Sequence, residues 1–208
     1  MRPLKTKFLE RVFRHLFWDE SYQRYYSADT WNQSYVDGYD LDVQNQDGRY
    51  GVLLTLLGRY ARAGPVLDAG CGDGVLASRI RQVSEVKLLG VDYADAAIER
   101  ARSKGLRNCE FISADLRAFR PREKFSVIIF NESLYYVENA VGLLRSLEAH
   151  LGENGVFLIS MFETLVTMRI WRALRGRYQL VQGVQVRDEA SRRSWRVRIL
   201  RPKEPSIT

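Results

Sequence analysis

The stretch VLDAGCGDG, from Val66 to Gly74, decides the fold. Val66 and Leu67 are apolar and suit the end of a buried parallel strand. Three glycines then occur at alternate positions, and glycine permits a positive φ and a close approach of a ligand to the backbone. From Val75 to Val83, apolar side chains recur at helical spacing. The stretch therefore predicts a strand, a glycine turn and a helix, with free backbone N–H groups facing whatever lies above the strand end.

Working outward from this turn, predicted strands alternate with predicted helices, which is typical of an α/β fold with a parallel sheet. Further strands are predicted at Val86–Val91, Cys109–Ile112, Phe125–Phe130 and Val156–Met161. Helices are predicted at Arg49–Tyr60, Asp95–Lys104, Asn139–Leu151 and Phe162–Leu174, and a turn at Gly152–Gly155. The last two apolar runs, Tyr178–Val186 and Trp195–Leu200, predict a β-hairpin.

The acid and the three glycines of the first stretch resemble motif I of the Rossmann-like, or class I, S-adenosylmethionine-dependent methyltransferases. The family's pattern is an acid followed by x-G-x-G-x-G, and it is filled here by Asp68, Gly70, Gly72 and Gly74. A nicotinamide-binding turn would read G-x-G-x-x-G. Such a turn would seldom carry an acid at position 68, because pyrophosphate is an anion, whereas a zwitterionic amino acid with a sulfonium tolerates one.

Three further stretches extend the resemblance over roughly residues 49–201: GVDYA, SADL and FNESLYY, at 90–94, 113–116 and 130–136. The last is similar to the E-x-L-Y-Y of NodS-like and other small-molecule methyltransferases. The resemblance implies a three-layer sandwich around a seven-stranded, mostly parallel sheet of order 3-2-1-4-5-7-6. Its antiparallel seventh strand would be Trp195–Leu200.

The resemblance also implies a site for S-adenosylmethionine, with S-adenosylhomocysteine as the product and no metal. Asp92 lies about 20 residues after the turn, the interval at which a carboxylate reaches ribose hydroxyls, and a carboxylate accepts two hydrogen bonds from a diol. Tyr93 would lie against the adenine ring, and Asp115 would accept a hydrogen bond from its amino group. The predicted cofactor-binding residues are Asp68, Gly70, Cys71, Gly72, Gly74, Asp92, Tyr93, Asp115, Leu116 and Asn131.

The implied reaction is in-line attack of a nucleophile on the sulfonium methyl, for which a protein mostly supplies orientation and a dry pocket. Glu132, Tyr135 and Tyr136 are the candidate catalytic residues at the end of the fourth strand. His150 comes late in a predicted helix, where a cation suits the helix dipole, and we interpret it as a surface or capping residue. The sequence leaves open the acceptor atom and whether a general base takes part.

The N-terminal residues 1–48 are predicted to form a helical cap or lid, followed by the methyltransferase domain at 49–202 and a tail at 203–208. Within the cap, Leu4–Phe17 has the pattern of a basic amphipathic helix. This helix would pack on its own domain or, alternatively, lie on a membrane or cover the site. The aromatic residues between Asp19 and Asp47 suit the wall of a small-molecule pocket and suit ordinary packing equally well.

Composition and charge bear on which partners and which cellular location we expect. The net charge of +7 comes from 32 Lys and Arg against 25 Asp and Glu, spread along the chain rather than blocked, so we expect an Arg-rich surface and no nucleic-acid partner. Two cysteines without metal spacing and the absence of a long apolar run favour a cytoplasmic protein without stable membrane insertion.

The preferred hypothesis is methyl transfer to an N or O atom of a small molecule, such as a sugar or another secondary metabolite. The alternatives are an RNA, DNA or protein methyltransferase, and a non-catalytic cofactor-binding protein of the same fold. The stretch FNESLYY lacks the N/D-P-P-Y/F form that resembled base-amino enzymes use on a flipped base. The oligomeric state does not follow from the sequence.

Overall fold

The computed structural model describes residues 27–37, 47–189 and 192–203. Within these ranges, the helices are α1 (Ala28–Val36), α2 (Asp47–Tyr60), α3 (Val75–Arg81), α4 (Asp95–Ser103), α5 (Ala140–Glu148) and α6 (Leu165–Arg175). The strands are β1 (Val66–Ala69), β2 (Leu88–Asp92), β3 (Cys109–Ser113), β4 (Phe125–Asn131), β5 (Leu151–Phe162), β6 (Tyr178–Asp188) and β7 (Arg193–Pro202). Short 3₁₀ turns occur at Ala61–Ala63 and Leu134–Tyr136.

The seven strands form one sheet of order β3-β2-β1-β4-β5-β7-β6. β1 lies between β2 and β4 and pairs in parallel with both, through Val66 with Leu88 and with Val127. β7 runs antiparallel to both β5 and β6. The predicted α/β class, strand order and antiparallel Trp195–Leu200 segment are therefore confirmed.

Each face of the sheet is covered by helices and by its own apolar core. Along β4, Ile128 and Phe130 belong to the core under α5 and α6, whereas Val127 and Ile129 belong to the core under α2, α3 and α4. This alternation follows from the two-residue period of a strand. Because both faces are buried, β4 is almost wholly apolar, as the run FSVIIF indicates.

The boundary between α5 and β5 differs from the prediction. The helix ends at Glu148 rather than Leu151, and Leu151 already pairs with Phe125 of β4. The predicted turn at 152–155 is a bulge inside β5, where the register shifts and Asn154 adopts a φ of 61°. The glycines that flank this bulge are typical of a loop, so the sequence predicts a turn here. The local sequence pattern does not show that the chain pairs with the same neighbouring strand on both sides of the bulge.

The predicted amphipathic helix Leu4–Phe17 lies outside the described residues. Between residues 27 and 203, leaving out 38–46 and 190–191, no helix is long and apolar enough to cross a membrane. In the same ranges, no cluster of three or more His, Cys, Asp or Glu side chains has the form of a metal site.

Candidate active site

The glycine turn lies at the carboxyl end of β1, where ligands of open parallel sheets bind. Gly70, Gly72 and Gly74 have φ angles of 80°, 53° and 79°, a region that favours glycine. The amides of Gly70 and Cys71 donate to the carbonyl of Val91 on β2, at 2.7 and 3.1 Å. The turn is therefore anchored to the neighbouring strand, and its backbone conformation explains why all three glycines are present.

A close contact joins this turn to the loop after β4. A Cβ atom at position 70 would lie only 2.4 Å from the Cβ atom of Ser133, so the space is already filled. The hydroxyl of Ser133 donates to the carbonyl of Ala69 at 2.6 Å. The predicted motif I and the predicted catalytic loop are thus held against each other, and Ser133 is a residue that sequence reasoning did not single out.

Two carboxyl groups, one buried and one partly buried, lie at the turn. Asp68 is 1% exposed, and neither of its oxygens has a hydrogen-bond partner within the described chain. Burial, together with the charge of Asp92, raises the pKa of Asp68 to about 7. Asp92 accepts hydrogen bonds from the amides of Gly72 and Ala94, at 2.9 and 3.0 Å, and burial raises its pKa as well.

Cys71 lies between these acids. Its side chain is buried, and burial followed by the charges of Asp68 and Asp92 raises the pKa of the thiol well above its usual value. A thiol that stays protonated is a poor nucleophile. Cys71 therefore serves as a small residue of the turn, as its place in the sequence indicates.

The predicted adenine-side residues follow β2 and β3. Tyr93 is half-buried, and burial raises the pKa of its phenol. Asp115 is exposed and accepts from the side chain of Arg117, at 2.6 to 3.0 Å, and from the Arg117 amide at 2.8 Å. Its hydrogen bonds with Arg117 lower the pKa of Asp115. Leu116 packs partly buried against the core.

Glu132 ties the end of β4 to β5. Its backbone has a φ of 59°, in the left-handed region. Its carboxylate accepts from the Ser160 hydroxyl at 3.0 Å and from the Phe162 amide and the Tyr135 hydroxyl, each at 3.1 Å. Burial raises the pKa of Glu132, although the nearby Arg49 opposes that effect. With this many partners, Glu132 holds the loop in shape.

Arg49 is a buried residue beside the candidate site that sequence reasoning missed. It is 2% exposed, and its Nη1 lies 4.0 Å from a carboxylate oxygen of Glu132. The same nitrogen donates to the side-chain oxygen of Asn131, and the guanidinium stacks 4.6 Å from the ring of Tyr50. Arg49 lies four residues before the buried Leu53, on the apolar stripe of α2, and a charge on that stripe was the available signal.

The two predicted catalytic tyrosines have different surroundings. Tyr135 is enclosed and donates to Glu132, and burial followed by the Glu132 charge raises the pKa of its phenol well above the usual value. Tyr136 packs with its ring centroid 4.5 Å from that of Tyr135 and 5.3 Å from that of Trp31, edge-on to the latter. Tyr136 therefore meets helix α1, which belongs to the predicted cap.

Helix α1 covers the glycine turn. A Cβ atom at position 72 would lie 2.5 Å from the hydroxyl oxygen of Tyr35. The side-chain oxygen of Asn32 accepts from the amide of Ala96 at 3.0 Å, which joins α1 to the start of α4. The described part of the predicted cap thus contacts both the turn and, through Trp31, the loop after β4.

His150 lies away from this site. Its carbonyl accepts from the amide of Phe125, the first residue of β4, whereas Asn131 ends β4 at the site. Seven residues of strand separate the two edges by about 20 Å. The interpretation of His150 as a residue outside the site agrees with this placement.

The acids at the turn bear on the kind of cofactor that fits. A dinucleotide would bring its anionic pyrophosphate to the unpartnered carboxyl group of Asp68, which is unfavourable in a buried setting. The cofactor implied by the resemblance carries a sulfonium and an ammonium, and both attract carboxylates. The residues of the turn therefore fit S-adenosylmethionine better than a nicotinamide dinucleotide.

Comparison with known proteins agrees with this geometry. Residues 61–190 match a family model described as a methyltransferase domain. A trans-aconitate 2-methyltransferase of Enterobacter sp. (strain 638) is 36% identical over 97 residues, which cover 46% of this chain and 38% of that protein. A malonyl-[acyl-carrier protein] O-methyltransferase of Bacillus cereus is 28% identical over 117 residues, 54% of this chain and 44% of that protein. The chain thus matches less than half the length of these curated relatives.

Among solved structures, the N-methyltransferase NodS from Bradyrhizobium japonicum WM9, in complex with S-adenosylhomocysteine, has a TM-score of 0.65 and 20% identity. The alignment covers 84% of this chain and 99% of that one. At this identity the likeness establishes the fold. Together with the family model, which spans more than half of the chain, it leads to one conclusion: this chain belongs to the methyltransferase domain family.

Proposed function

We propose that the protein transfers a methyl group from S-adenosylmethionine to an N or O atom of a small molecule. The observation that carries the proposal is the pair of acids at the glycine turn, the buried Asp68 and the partly buried Asp92, in a family of methyltransferases. Their charge favours a cationic cofactor. The curated relatives named for trans-aconitate and malonyl-[acyl-carrier protein] support an acceptor outside nucleic acids.

In this proposal the cofactor supplies an electrophilic methyl group on sulfur. Asp92 keeps its position through the amides of Gly72 and Ala94, and its remaining lone pairs accept from the ribose hydroxyls. Asp68, ionised, faces the cofactor's ammonium. Tyr93, Asp115 and Leu116 bound the adenine, with Asp115 reaching the amino group beside Arg117.

The acceptor lies beside the loop after β4, where Glu132, Tyr135 and Tyr136 remain the proposed catalytic residues. The bound cofactor would supply the methyl group to the acceptor's lone pair, and its sulfur would leave as the thioether of S-adenosylhomocysteine. Tyr135 keeps its proton because burial and the charge of Glu132 raise the pKa of its phenol, so these two residues act chiefly by positioning Tyr136 and by excluding water.

Residues 1–48 are proposed to act as the lid, 49–202 as the catalytic domain and 203–208 as a tail. The contacts of α1 with the turn and with Tyr136 support a lid over both the cofactor and the acceptor. A cytoplasmic location stays a prediction.

The proposal is tested by incubating the full chain with methyl-labelled S-adenosylmethionine and a cell extract, then separating small metabolites, nucleic acid and protein. We expect the label in a small metabolite, with an amount that depends on active protein. Label found chiefly in tRNA or DNA, in a salt-sensitive manner, would instead establish the nucleic-acid alternative. Absence of label from every fraction would reject turnover.

A further inference from the structure

Tyr35 of helix α1 places its hydroxyl directly over the glycine turn. The side chain is 6% exposed, and its hydroxyl oxygen lies 2.5 Å from the position that a Cβ atom of residue 72 would take. Gly72 has a φ of 53° and no side chain, so the hydroxyl and the backbone meet across this face. A ligand bound along this part of the turn would therefore lie beside the Tyr35 hydroxyl as well as the backbone.

The position of Tyr35 is fixed from two sides. Arg100 of α4 donates a hydrogen bond to the carbonyl of Tyr35, and its guanidinium carbon lies 5.9 Å from the centroid of the ring. Tyr35 also packs with Ala94 and Ala97, at the start of the same helix. Because α4 follows Asp92 directly, the phenol and the proposed ribose carboxylate belong to one packed unit.

The charges around the turn indicate which part of a ligand would lie beside the Tyr35 hydroxyl. Asp92 accepts from the amide of Gly72, and Asp68 and Asp73 lie at the same turn, so this neighbourhood is rich in carboxylates. Carboxylates accept hydrogen bonds but donate none when ionised. A zwitterionic amino acid needs acceptors for its ammonium and donors for its carboxylate, and a phenol hydroxyl can accept or donate.

We propose that the Tyr35 hydroxyl forms a hydrogen bond with the amino-acid group of the bound cofactor. The inference rests on the proposed function and deepens it, because it assigns a cofactor contact to the cap rather than to the catalytic domain. It also gives two residues of α1 different contacts. Tyr35 binds the cofactor, whereas Trp31, one helical turn earlier, contacts Tyr136 on the acceptor side.

The test compares Tyr35→Phe with the parent protein in the full-length chain, using two probes. S-adenosylhomocysteine carries the amino-acid group, and 5′-methylthioadenosine lacks it. We expect the substitution to weaken S-adenosylhomocysteine by about tenfold, as loss of a hydrogen bond to a charged group does, and to leave methylthioadenosine within about twofold. Competition calorimetry measures both affinities.

Tyr60→Phe is the matched control, because the Tyr60 hydroxyl faces Gln182 on β6, at 3.5 Å, rather than the turn. It should leave both affinities unchanged. Equal affinity of Tyr35→Phe and parent for S-adenosylhomocysteine overturns the inference, and so does an equal loss for both probes, which would mean a structural role. If the parent itself fails to bind S-adenosylhomocysteine, the proposed function fails first.

Discussion

Asp68 and Asp92 show how two acids near one turn acquire different roles. Asp92 is held by two backbone amides and keeps a defined orientation, whereas Asp68 is buried without a partner in the described chain. An unpartnered buried carboxyl group favours its neutral form. The buried carboxyl group of Asp68 therefore lowers the stability of the fold at neutral pH, and a cationic ligand would offset that loss.

Asp68→Asn should therefore alter how stability depends on pH. The folded-state pKa of Asp68, about 7, lies above the ordinary value of 3.8, so its favourable contribution is complete below about pH 4 and is lost as the pH rises through 7. Between about pH 5 and 8 the parent should lose roughly 2–3 kcal/mol from this group, and the variant should not. Urea unfolding at both pH values measures the difference.

Glu99→Gln, an exposed change on α4, serves as the control for this titration and should follow the parent at both pH values. An identical pH dependence in Asp68→Asn and in the parent would show that Asp68 is ionised in the folded protein at low pH. That outcome would reject the claim that burial without a partner raises the pKa of Asp68.

Asp92→Ala tests the ribose contact. The substitution removes an acceptor that is proposed to bind two hydroxyls, and it also releases the amides of Gly72 and Ala94. Hydrogen bonds to a charged group are worth about 1.5–3 kcal/mol, so affinity for S-adenosylhomocysteine should fall by about tenfold to a hundredfold. Calorimetry measures the loss, with Glu99→Ala as the exposed acidic control. Equal affinity in the variant and the parent would reject Asp92 as a ligand.

At the scale of elements, the glycine turn and the loop after β4 act as one unit. Gly70 has a φ of 80°, and its missing side chain leaves room for Ser133. The sequence predicts the turn because three glycines and an acid are adjacent. It does not predict Ser133 as a partner, because the two residues are far apart along the chain and meet only when β1 and β4 pair.

Gly70→Ala should destabilise the fold by about 2–4 kcal/mol, the sum of a strained left-handed backbone and an overpacked contact with Ser133. The free energy of unfolding in urea measures this loss. Gly51→Ala is the matched control: no atom lies within 4 Å of its added methyl group, and it sits inside α2. That change should stabilise by about 0.5–1 kcal/mol. Equal effects of the two substitutions would refute the packing account.

The pairing of Arg49 with Glu132 is a contact between elements that the sequence did not predict. Glu132 was recognised from the stretch FNESLYY, but its partners Arg49 and Ser160 come from α2 and β5. Charged residues inside a helix usually face solvent, so Arg49 was assigned to a helix without a role. The catalytic roles of Glu132, Tyr135 and Tyr136 stay predictions.

For the whole molecule, the alternation of strands and helices predicts the α/β class, and the resemblance supplies the strand order that the structure confirms. Boundaries within two residues follow from apolar periodicity, with two exceptions. Near 152–155 a bulge replaces a turn, and α6 begins at Leu165 rather than Phe162 because Phe162 still belongs to β5. The sequence could not predict where α1 packs on the domain. Asn32 and Tyr35 are held by α4, more than 60 residues later in the chain.

Removing residues 1–39 should abolish methyl transfer while leaving measurable binding of S-adenosylhomocysteine. The deletion takes away Trp31, which meets Tyr136, and Tyr35, so cofactor affinity should fall by about tenfold rather than vanish. Labelled-methyl assays and calorimetry measure the two effects, and circular dichroism checks that the sheet remains folded. Normal turnover by the shortened protein would show that the N-terminal segment is no lid.

The most direct test of the central claim is a calorimetric titration of the full chain with S-adenosylhomocysteine and, separately, with NAD. The acids at the glycine turn predict saturable one-to-one binding of S-adenosylhomocysteine and no detectable binding of NAD. Binding of NAD, or failure of S-adenosylhomocysteine to bind while the protein is folded, would contradict the assignment of this turn as a methyltransferase cofactor site.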